Sequence, residues 1–413
     1  SWYPYIATLT SKTVSWLGSD MNQKSTVSTP AAVNADMTWE KIRTLDFGFD
    51  AGFLNNELNV TFDWYLRRNV GMLVSGNEII RYVGIASAPL ENGGDLKTTG
   101  WELQIDYNHA FNKDFAVYGT FTLADSKSEI TKWNNTTGAL QGWYEGKQLG
   151  EIWGFETDRY FNSSDLNSDG TLKEGIPDQS YIQTGSFRFG AGDVKFKDID
   201  GSGKIDTGKG TIDDHGDLKR IGNALPRYEY SLRLGAMFKG FDFEVLFQGV
   251  GKRDMWTTSS LFIPHAAGAQ MNIFENQLDY WTENNLNARF PRPYINSAFG
   301  SLSGLPSNSG INNFVPQTKY LNNLAYLRVK NLTVGYTIPQ NLTQKVSVEK
   351  LRIYFSAQNL LTFDHIDGVM DPESTGGWSS GLNVDSLSGV DTRYAGRSMP
   401  FNRQWSCGVQ ITF

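Results

Sequence analysis

Apolar and polar residues alternate along several segments of the chain, each about ten residues long. In residues 57–69, for example, Phe62 and Trp64 share one side of an extended chain, while Asp63 falls on the other. A period of two residues is typical of a β-strand with one apolar and one polar face. The same alternation recurs at 98–110, 227–238, 241–250, 349–361 and 404–413. The pattern therefore predicts an all-β protein built from two-faced strands.

The connections between these segments alternate in length. The predicted strands lie at roughly 3–13, 38–51, 57–69, 98–110, 115–125, 227–238, 241–251, 325–338, 349–361 and 402–413. Short turns fall at one end of the strands, near 52–56, 112–114, 239–240 and 339–348. Long segments fall at the other end, at about 14–37, 70–97, 126–226, 252–324 and 362–401. Tight periplasmic turns and long extracellular loops are typical of outer-membrane barrels, so the connections favour a barrel over a soluble sandwich.

The strand length also fits a membrane. Ten residues at about 3.3 Å each, tilted by roughly 40°, span an apolar band of about 25 Å. A sheet can stand in lipid only when it closes, because an open edge leaves backbone groups without hydrogen bonds. We therefore predict an antiparallel transmembrane β-barrel of which residues 1–413 form one part. Residues 126–226 are predicted to be a long extracellular loop region, and the carboxyl terminus to lie on the periplasmic side.

Composition and motifs exclude several other classes of protein. The net charge of −7 argues against nucleic-acid binding. Aromatic residues make up 13% of the chain and there are 42 glycines, which suits twisted strands with aromatic girdles. The four histidines show no H-E-x-x-H spacing, and neither a G-x-S-x-G elbow nor a P-loop occurs. Cys407, the single cysteine, falls on the predicted lipid face. The sequence therefore predicts a protein that is not an enzyme.

The polar strand faces supply the candidate transport surface, whereas Leu232, Phe243 and Ile353 are predicted to contact lipid. The residues predicted to line the lumen are Asp63, Glu102, Asp106, Arg233 and Glu244.

A group of aromatic residues falls in the long connections, where exposed rings would suit stacking on sugars or docking of a partner protein. They are Trp133, Trp143, Tyr144, Trp256, Trp281 and Trp378. The alternative is that these rings pack the long connections against one another.

One acidic segment, residues 198–206, reproduces the first nine positions of an EF-hand loop, a pattern of oxygen ligands around a glycine that suits Ca²⁺. The candidate ligands are Asp198, Asp200, Ser202, Lys204 and Asp206. The twelfth position, normally Glu, is Lys209, and Asp213 or Asp214 could replace it. A Ca²⁺ bound here would be structural. The alternative is an Asp/Gly-rich turn held by local hydrogen bonds.

A weaker copy of the same pattern begins at Asp165 and continues through Asn167 and Asp169. It has Lys173 at position 9 and Ile176 at position 12, neither of which offers a carboxylate. A solvated turn is the favoured interpretation of this segment.

Several stretches resemble the SusC/RagA family of TonB-linked outer-membrane transporters. They are GEIWGFETDRYF (150–161), GDVKFKDIDGSGKID (192–206), IGNALPRYEYSLRLGAMFKGFDFEVLFQGVG (221–251), YLRVKNLTVGYTIP (326–339), LRIYFSAQNLLTF (351–363) and the terminal FNRQWSCGVQITF. The resemblance implies the C-terminal part of a 22-stranded barrel with an N-terminal plug, in the outer membrane of a Gram-negative, Bacteroidetes-type bacterium. It also implies TonB-driven import of oligosaccharides or peptides, with a SusD-like surface lipoprotein as partner, and it allows a dimer of such pairs.

The chain departs from that plan at its front. It begins with the strand-like SWYPYIATLT, and we find no plug-like front half, TonB box or export leader. We therefore expect those parts and the earlier strands to belong to a longer precursor or to another chain. Two other functions stay open from the residues alone: a secreted, soluble all-β glycan-binding protein, and a passive porin.

Overall fold

The computed structural model describes most of the chain. The described residues are 6, 9, 11–17, 23–27, 33–76, 88–183, 187–257, 259–264, 273–294, 310–366, 368–375, 396 and 398–413. Within these ranges, no helix is both long enough and apolar enough to cross a bilayer. The helical segments are α1 (Gln340–Thr343) and the 3-10 turns Ser163–Asp165, Ser180–Ile182, Glu275–Gln277, Gly310–Phe314 and Gln344–Val346.

Antiparallel strands dominate the fold. They are β1 (Ser11–Leu17), β2 (Gln23–Val27), β3 (Lys41–Phe53), β4 (Leu58–Ser75), β5 (Leu90–Asn112), β6 (Phe115–Lys132), β7 (Glu151–Phe155), β8 (Thr157–Tyr160), β9 (Val194–Phe196), β10 (Leu218–Asn223), β11 (Arg227–Phe238), β12 (Phe241–Lys252), β13 (Asp254–Met255), β14 (Asn322–Asn323), β15 (Tyr326–Ile338), β16 (Lys350–Asp364) and β17 (Gln404–Thr412). The all-β, antiparallel fold class predicted from the sequence is confirmed.

Nine strands form one large sheet in the order β17-β16-β15-β12-β11-β6-β5-β4-β3, with every pair antiparallel. They correspond to nine of the predicted strands. The predicted strand at 3–13 is different: residues 11–13 belong to β1, which pairs with β2 in a separate two-stranded sheet, and most of 3–10 lies outside the described residues. Smaller sheets pair β7 with β10, β8 with β9 and β13 with β14.

The alternation of short and long connections is present in the large sheet. Residues 54–57, 113–114, 239–240 and 339–349 make the short connections at one end, and 76–89, 133–226, 253–325 and 365–403 make the long ones at the other. Some strands extend past their predicted limits on the long side, and β5 reaches 23 residues. A bilayer is crossed by roughly ten residues of a strand, and β5 is longer than that. The additional residues continue the interstrand hydrogen bonds towards the long connections.

The cross-strand register keeps the two faces separate. Phe62 pairs with Leu103 and Leu103 with Leu123, whereas Asp63 pairs with Glu102 on the opposite face. The apolar face is exposed: Phe243 keeps 41%, Ile353 50% and Val409 61% of its accessible surface. Since the hydrophobic pattern fixes register, the same face stays apolar from strand to strand.

The hydrophobic core lies in the long connections rather than between faces of the sheet. Ile152, Phe196 and Ile205 are fully buried there, and Phe290 and Leu324 belong to the same cluster. The cluster joins residues from 133–226, 253–325 and 365–370. These long connections are therefore packed against one another as a folded layer at one end of the sheet, which we call the cap.

A buried carboxylate helps to hold the cap together. Asp193 is fully buried and accepts hydrogen bonds from the Tyr294 hydroxyl (2.6 Å), the Asn313 amide (2.8 Å) and the Gly190 backbone N–H (2.8 Å). Arg292 lies 3.5 Å away and supplies a positive charge. Because a buried carboxylate is stable only when it is hydrogen-bonded, this cluster fixes three chain segments relative to one another.

Candidate functional site

The residues predicted to line a lumen share one face of the large sheet. Asp63 lies opposite Glu102 in the β4–β5 pair, and Asp106 lies opposite Thr120, which in turn pairs with Arg233. Register therefore places these side chains on the polar face, together with Glu244 on β12. The face is rich in charge, and two carboxylates directly opposite each other are tolerated best where water surrounds them.

Hydrogen bonds and ion pairs run across this polar face. Arg233 Nη2 lies 2.7 Å from Glu244 Oε2, and the Tyr118 hydroxyl donates to the same carboxylate at 2.9 Å. The Thr120 hydroxyl donates to Asp106 at 2.7 Å. The polar groups of β5, β6, β11 and β12 are thus organised into a continuous surface that can contact a hydrated solute.

The long-connection end of the polar face carries a second ion-pair cluster that the sequence reasoning missed. Arg328 on β15 is 2% exposed, and its Nη2 donates to Asp371 at 2.7 Å. Its Nε donates to the Thr362 hydroxyl on β16 at 3.0 Å. Lys330 donates to Glu373 at 2.6 Å. The signal available in the sequence was the Arg–x–Lys pair at the start of this strand.

The calcium-like loop brings carboxylates together, but not the complete set that was predicted. Oxygens of Asp198, Asp200 and Asp217 lie within 4.8 Å of one another. The third carboxylate is thus Asp217, which the sequence reasoning missed, and neither Asp213 nor Asp214 belongs to the group. The reason lies in the fold: Asp217 is held by the backbone N–H groups of Ile199 (2.6 Å) and Asp206 (3.0 Å) in the loop itself.

The other predicted ligands have local partners. The Ser202 hydroxyl donates to the Lys204 carbonyl at 3.0 Å, and Asp206 accepts from the Gly208 backbone N–H at 2.7 Å. Asp198 accepts from Gly201, Ser202 and Gly203, which closes the turn. Burial raises the pKa of the Asp217 carboxyl, and the charge of Asp200 adds to that rise. Carboxylate oxygens grouped this closely are the donor set that Ca²⁺ prefers.

The weaker copy has a different arrangement. Asp165 forms a bidentate ion pair with Arg159, in which Nη1 and Nη2 donate to the two carboxylate oxygens at 2.6 and 2.8 Å. The Asp165 side chain is almost fully buried. The guanidinium beside it holds the pKa of the Asp165 carboxyl below its usual range. Asp169 accepts hydrogen bonds from Thr171 instead. The first carboxylate of this segment is thus buried and neutralised by Arg159 rather than solvated.

The aromatic residues of the long connections require a correction. We expected exposed rings, yet Tyr144, Trp256 and Trp281 are buried in the hydrophobic core of the cap, with at most 7% of their surface exposed. Trp133 and Trp143 are half-buried and lie against each other at 5.6 Å between ring centroids. Trp378 lies outside the described residues. Packing of the connections therefore accounts for the three buried rings, because the cap forms a core of its own.

Comparison with known sequences finds similarity to TonB-dependent receptors. No family model matches it. It is 24% identical over 393 residues to TonB-dependent receptor P3 of Formosa agariphila, which covers 92% of this chain and 35% of that protein. It is 25% identical over 390 residues to TonB-dependent receptor SusC of Bacteroides thetaiotaomicron, covering 91% of this chain and 33% of SusC. The chain therefore spans about a third of the length of these relatives.

Solved structures show the same fold. The RagAB peptide transporter superposes on 100% of this chain with a TM-score of 0.64 at 22% identity, using 39% of the transporter chain. The RagAB peptide importer in its closed-closed state gives a TM-score of 0.63 at 21% identity, again over the whole chain and 39% of the importer chain. The similarity to SusC/RagA-type TonB-dependent receptors that the sequence motifs indicated is thereby confirmed along nine-tenths of the chain.

Proposed function

We propose that this chain forms part of the barrel wall and the extracellular loops of an outer-membrane nutrient importer. One observation carries the proposal: the large sheet has an exposed apolar face on every strand and a polar, ion-paired face on the other side. Water-soluble proteins rarely leave contiguous apolar patches of more than a few hundred Å² uncovered. Hydrocarbon is the medium in which such a face is stable, and a hydrated lumen is the medium for the other.

The two outer strands of the sheet support a larger barrel. Within the described residues, β3 and β17 each pair with one neighbouring strand. An open edge in lipid leaves backbone N–H and C=O groups without partners, at a cost of several kcal/mol per group. We infer that strands outside this chain complete the barrel, and the fold shared with RagAB favours the 22-stranded form that the family resemblance implies.

The partners and cargo follow from the relatives as proposals. SusC is a TonB-dependent receptor, and RagAB is a peptide transporter. We propose oligosaccharide or peptide import, coupled to the TonB complex through the plug that the family resemblance implies. A SusD-like lipoprotein would sit over the cap, and two transporter–lipoprotein pairs would form a dimer.

The long connections would face the outside of a Bacteroidetes-type cell, and the carboxyl terminus would face the periplasm. Transport, rather than catalysis, is the role that these relatives support.

We also propose that the cap contains a structural Ca²⁺ site. The grouping of Asp198, Asp200 and Asp217 supports it, since three carboxylates within 4.8 Å of one another repel and a cation between them would relieve that repulsion. The bound ion would fix the turn at 198–206 against the segment that begins at Asp217. It would hold the cap rather than take part in any reaction.

Labelling at adjacent positions tests the face assignment. Cys407 lies on the apolar face, paired with Phe355, and Ser406 lies on the polar face, where its hydroxyl is 2.9 Å from that of Ser356. A nitroxide on the native Cys407 of the full-length protein in liposomes should collide with oxygen dissolved in lipid. The matched control, Cys407→Ser with Ser406→Cys, should collide with a water-soluble nickel complex. The reverse result would exclude a transmembrane wall.

Two further measurements separate the alternatives. A secreted, soluble glycan-binding protein would stay monodisperse without detergent and show no heat-modifiable shift on a gel, whereas a barrel requires detergent and shows that shift. A passive porin would admit its solute after the proton-motive force is collapsed, whereas TonB-coupled import would stop. Uptake of a labelled oligosaccharide or peptide by cells with and without an uncoupler distinguishes the two.

A further inference from the structure

A cavity of about 320 Å³ lies at the long-connection end of the polar face. Its walls come from β15, β16 and the segments around 371 and 401. The side chains that matter for its chemistry are Arg328, Asn359, Thr362, Asp371 and Phe401. The volume is at the lower end of the range of small-molecule pockets and matches one compact ring with its substituents.

The first unusual feature of the cavity is an incompletely paired arginine. Arg328 is 98% buried, yet its Nη1 has no hydrogen-bond partner within the described structure. Glu373 Oε2 lies 3.5 Å from this nitrogen, which gives charge compensation without a hydrogen bond. A buried donor without a partner is destabilising, so a ligand group that accepts a hydrogen bond from it binds more tightly.

The second feature is a bulge that carries an asparagine. Between the pairs Val329–Leu361 and Asn331–Gln358 the register shifts, and Asn359 takes the left-handed conformation with φ of 52°. Its Nδ2 donates to the Asn402 carbonyl at 3.1 Å, but its buried Oδ1 has no partner in the described part of the chain. Bulges next to functional sites re-aim side chains, and a non-glycine residue at positive φ indicates that another constraint holds it there.

The two unpartnered atoms define the ligand chemistry. Arg328 Nη1 offers a hydrogen-bond donor and Asn359 Oδ1 an acceptor. A hydroxyl group can pair with either atom, because it both accepts and donates hydrogen bonds. The charged residues in the cavity wall are Arg328, Arg403, Asp364 and Asp371, two of each sign, so the wall favours a neutral ligand. Phe401 keeps 49% of its surface exposed and presents an apolar ring to the same space. An apolar ring beside hydrogen-bonding groups suits a sugar, whose faces are apolar and whose edges carry hydroxyls.

We propose that this cavity is a subsite for one neutral, polyhydroxylated ring, that is, one sugar residue of an oligosaccharide on its way through the lumen. The inference rests on the proposed import function and narrows its cargo to the carbohydrate class. Arg328 and Asn359 both line the cavity, so a ligand hydroxyl there would be the partner that Nη1 and Oδ1 lack. The ring of Phe401 covers the apolar side of the sugar.

Asn359→Gly is the variant of choice, because glycine accepts the positive φ without strain and removes only the amide. Gln358→Ala is the matched control, since Gln358 is the preceding residue, is exposed and does not line the cavity. The full-length protein, with any lipoprotein that co-purifies, is examined in detergent by saturation-transfer NMR. The probes are a set of neutral monosaccharides (glucose, galactose, mannose, xylose and N-acetylglucosamine), and Ala–Ala and Gly–Gly dipeptides represent the zwitterionic class.

We expect at least one monosaccharide to bind, with affinity about three- to tenfold weaker in Asn359→Gly and unchanged in Gln358→Ala. The inference is overturned if no monosaccharide binds the unmodified protein, if Asn359→Gly binds as well as the control, or if only the dipeptides show the Asn359-dependent signal. Uptake by cells is measured in parallel with labelled oligosaccharides and peptides. If cells take up peptide equally well with and without Asn359→Gly, the import proposal stands and the proposal of a sugar subsite fails.

Discussion

Asp242 and Arg352 form an ion pair across an intervening strand. Asp242 lies on β12 and Arg352 on β16, and the guanidinium Nε donates to the carboxylate at 2.9 Å over the backbone of β15. Gly335 of β15 lies beneath the pair, and a Cβ there would be 2.5 Å from Asp242 Oδ1 and 2.7 Å from Arg352 Nε. The missing side chain is therefore what allows strands two apart to bond directly.

Gly335→Ala should destabilise the folded sheet by about 1–3 kcal/mol, because the methyl group overlaps the ion pair and forces it apart. The measurement is the urea midpoint of the full-length protein in detergent micelles. Thr333→Ala, on the same face of β15, is the control and should change stability by less than about 0.5 kcal/mol. Equal effects of the two substitutions would show that the ion pair does not depend on the glycine.

Phe243→Arg should cost roughly 2–4 kcal/mol when the protein folds into a bilayer, because the charge would enter hydrocarbon. Leu246→Arg is the control: it makes the same kind of change on β12, but Leu246 pairs with Arg233 and lies on the polar face. Folding into liposomes, followed by the heat-modifiable gel shift, gives both free energies. A penalty at Leu246 as large as that at Phe243 would contradict the assignment of the lipid face.

Asp200→Asn should weaken Ca²⁺ binding to the cap, because it removes one of three grouped carboxylates. Asp214→Asn is matched in chemistry and lies in the same segment, but its carboxylate pairs with Lys209 at 3.4 Å outside the group. It should leave the affinity unchanged. Calorimetric titration with Ca²⁺ after chelation measures both. If the unmodified protein takes up no Ca²⁺, the loop is an Asp/Gly turn held by its own hydrogen bonds.

The Asp165–Arg159 pair predicts a dependence on pH. The hydrogen bonds from Arg159 lower the pKa of Asp165, so its contribution to stability is present above the carboxyl's unfolded pKa and is lost as the pH falls through the lowered value. Asp165→Asn should therefore destabilise the cap at pH 7 but have little effect once the pH is below the lowered pKa of Asp165.

Limited proteolysis of the cap with a neutral and an acid protease checks this pH dependence. Glu174→Gln, at an exposed position of the same segment, is the control and should not change cleavage at either pH. A loss of protection in Asp165→Asn that is the same at both pH values would show that charge plays no part in the pair.

Most of the large sheet could be predicted because its signal is local. Residues such as Phe62, Asp63 and Trp64 alternate within one strand, and their alternation is decided by the pleat alone. The same pattern sets the register between strands, since a slip of one residue would exchange the two faces. Of the first predicted strand, at 3–13, residues 11–13 pair with β2 instead of the large sheet, and most of the others lie outside the described residues.

The cap could not be predicted in the same way. Tyr144, Trp256 and Trp281 read as exposed aromatic residues, yet they are buried because segments far apart in sequence pack into a shared core. Nothing local distinguishes a ring that meets water from one that meets another loop.

The sequence by itself determined the strands, their two faces and the alternation of short and long connections, because each depends on residues close together in the chain. Only the tertiary structure decided which distant groups meet: Asp217 with Asp198, Arg328 with Asp371, and the ion pair that crosses Gly335. Those contacts depend on how the long connections fold back and on how strands two apart approach. Both are properties of packing that no period along the chain encodes.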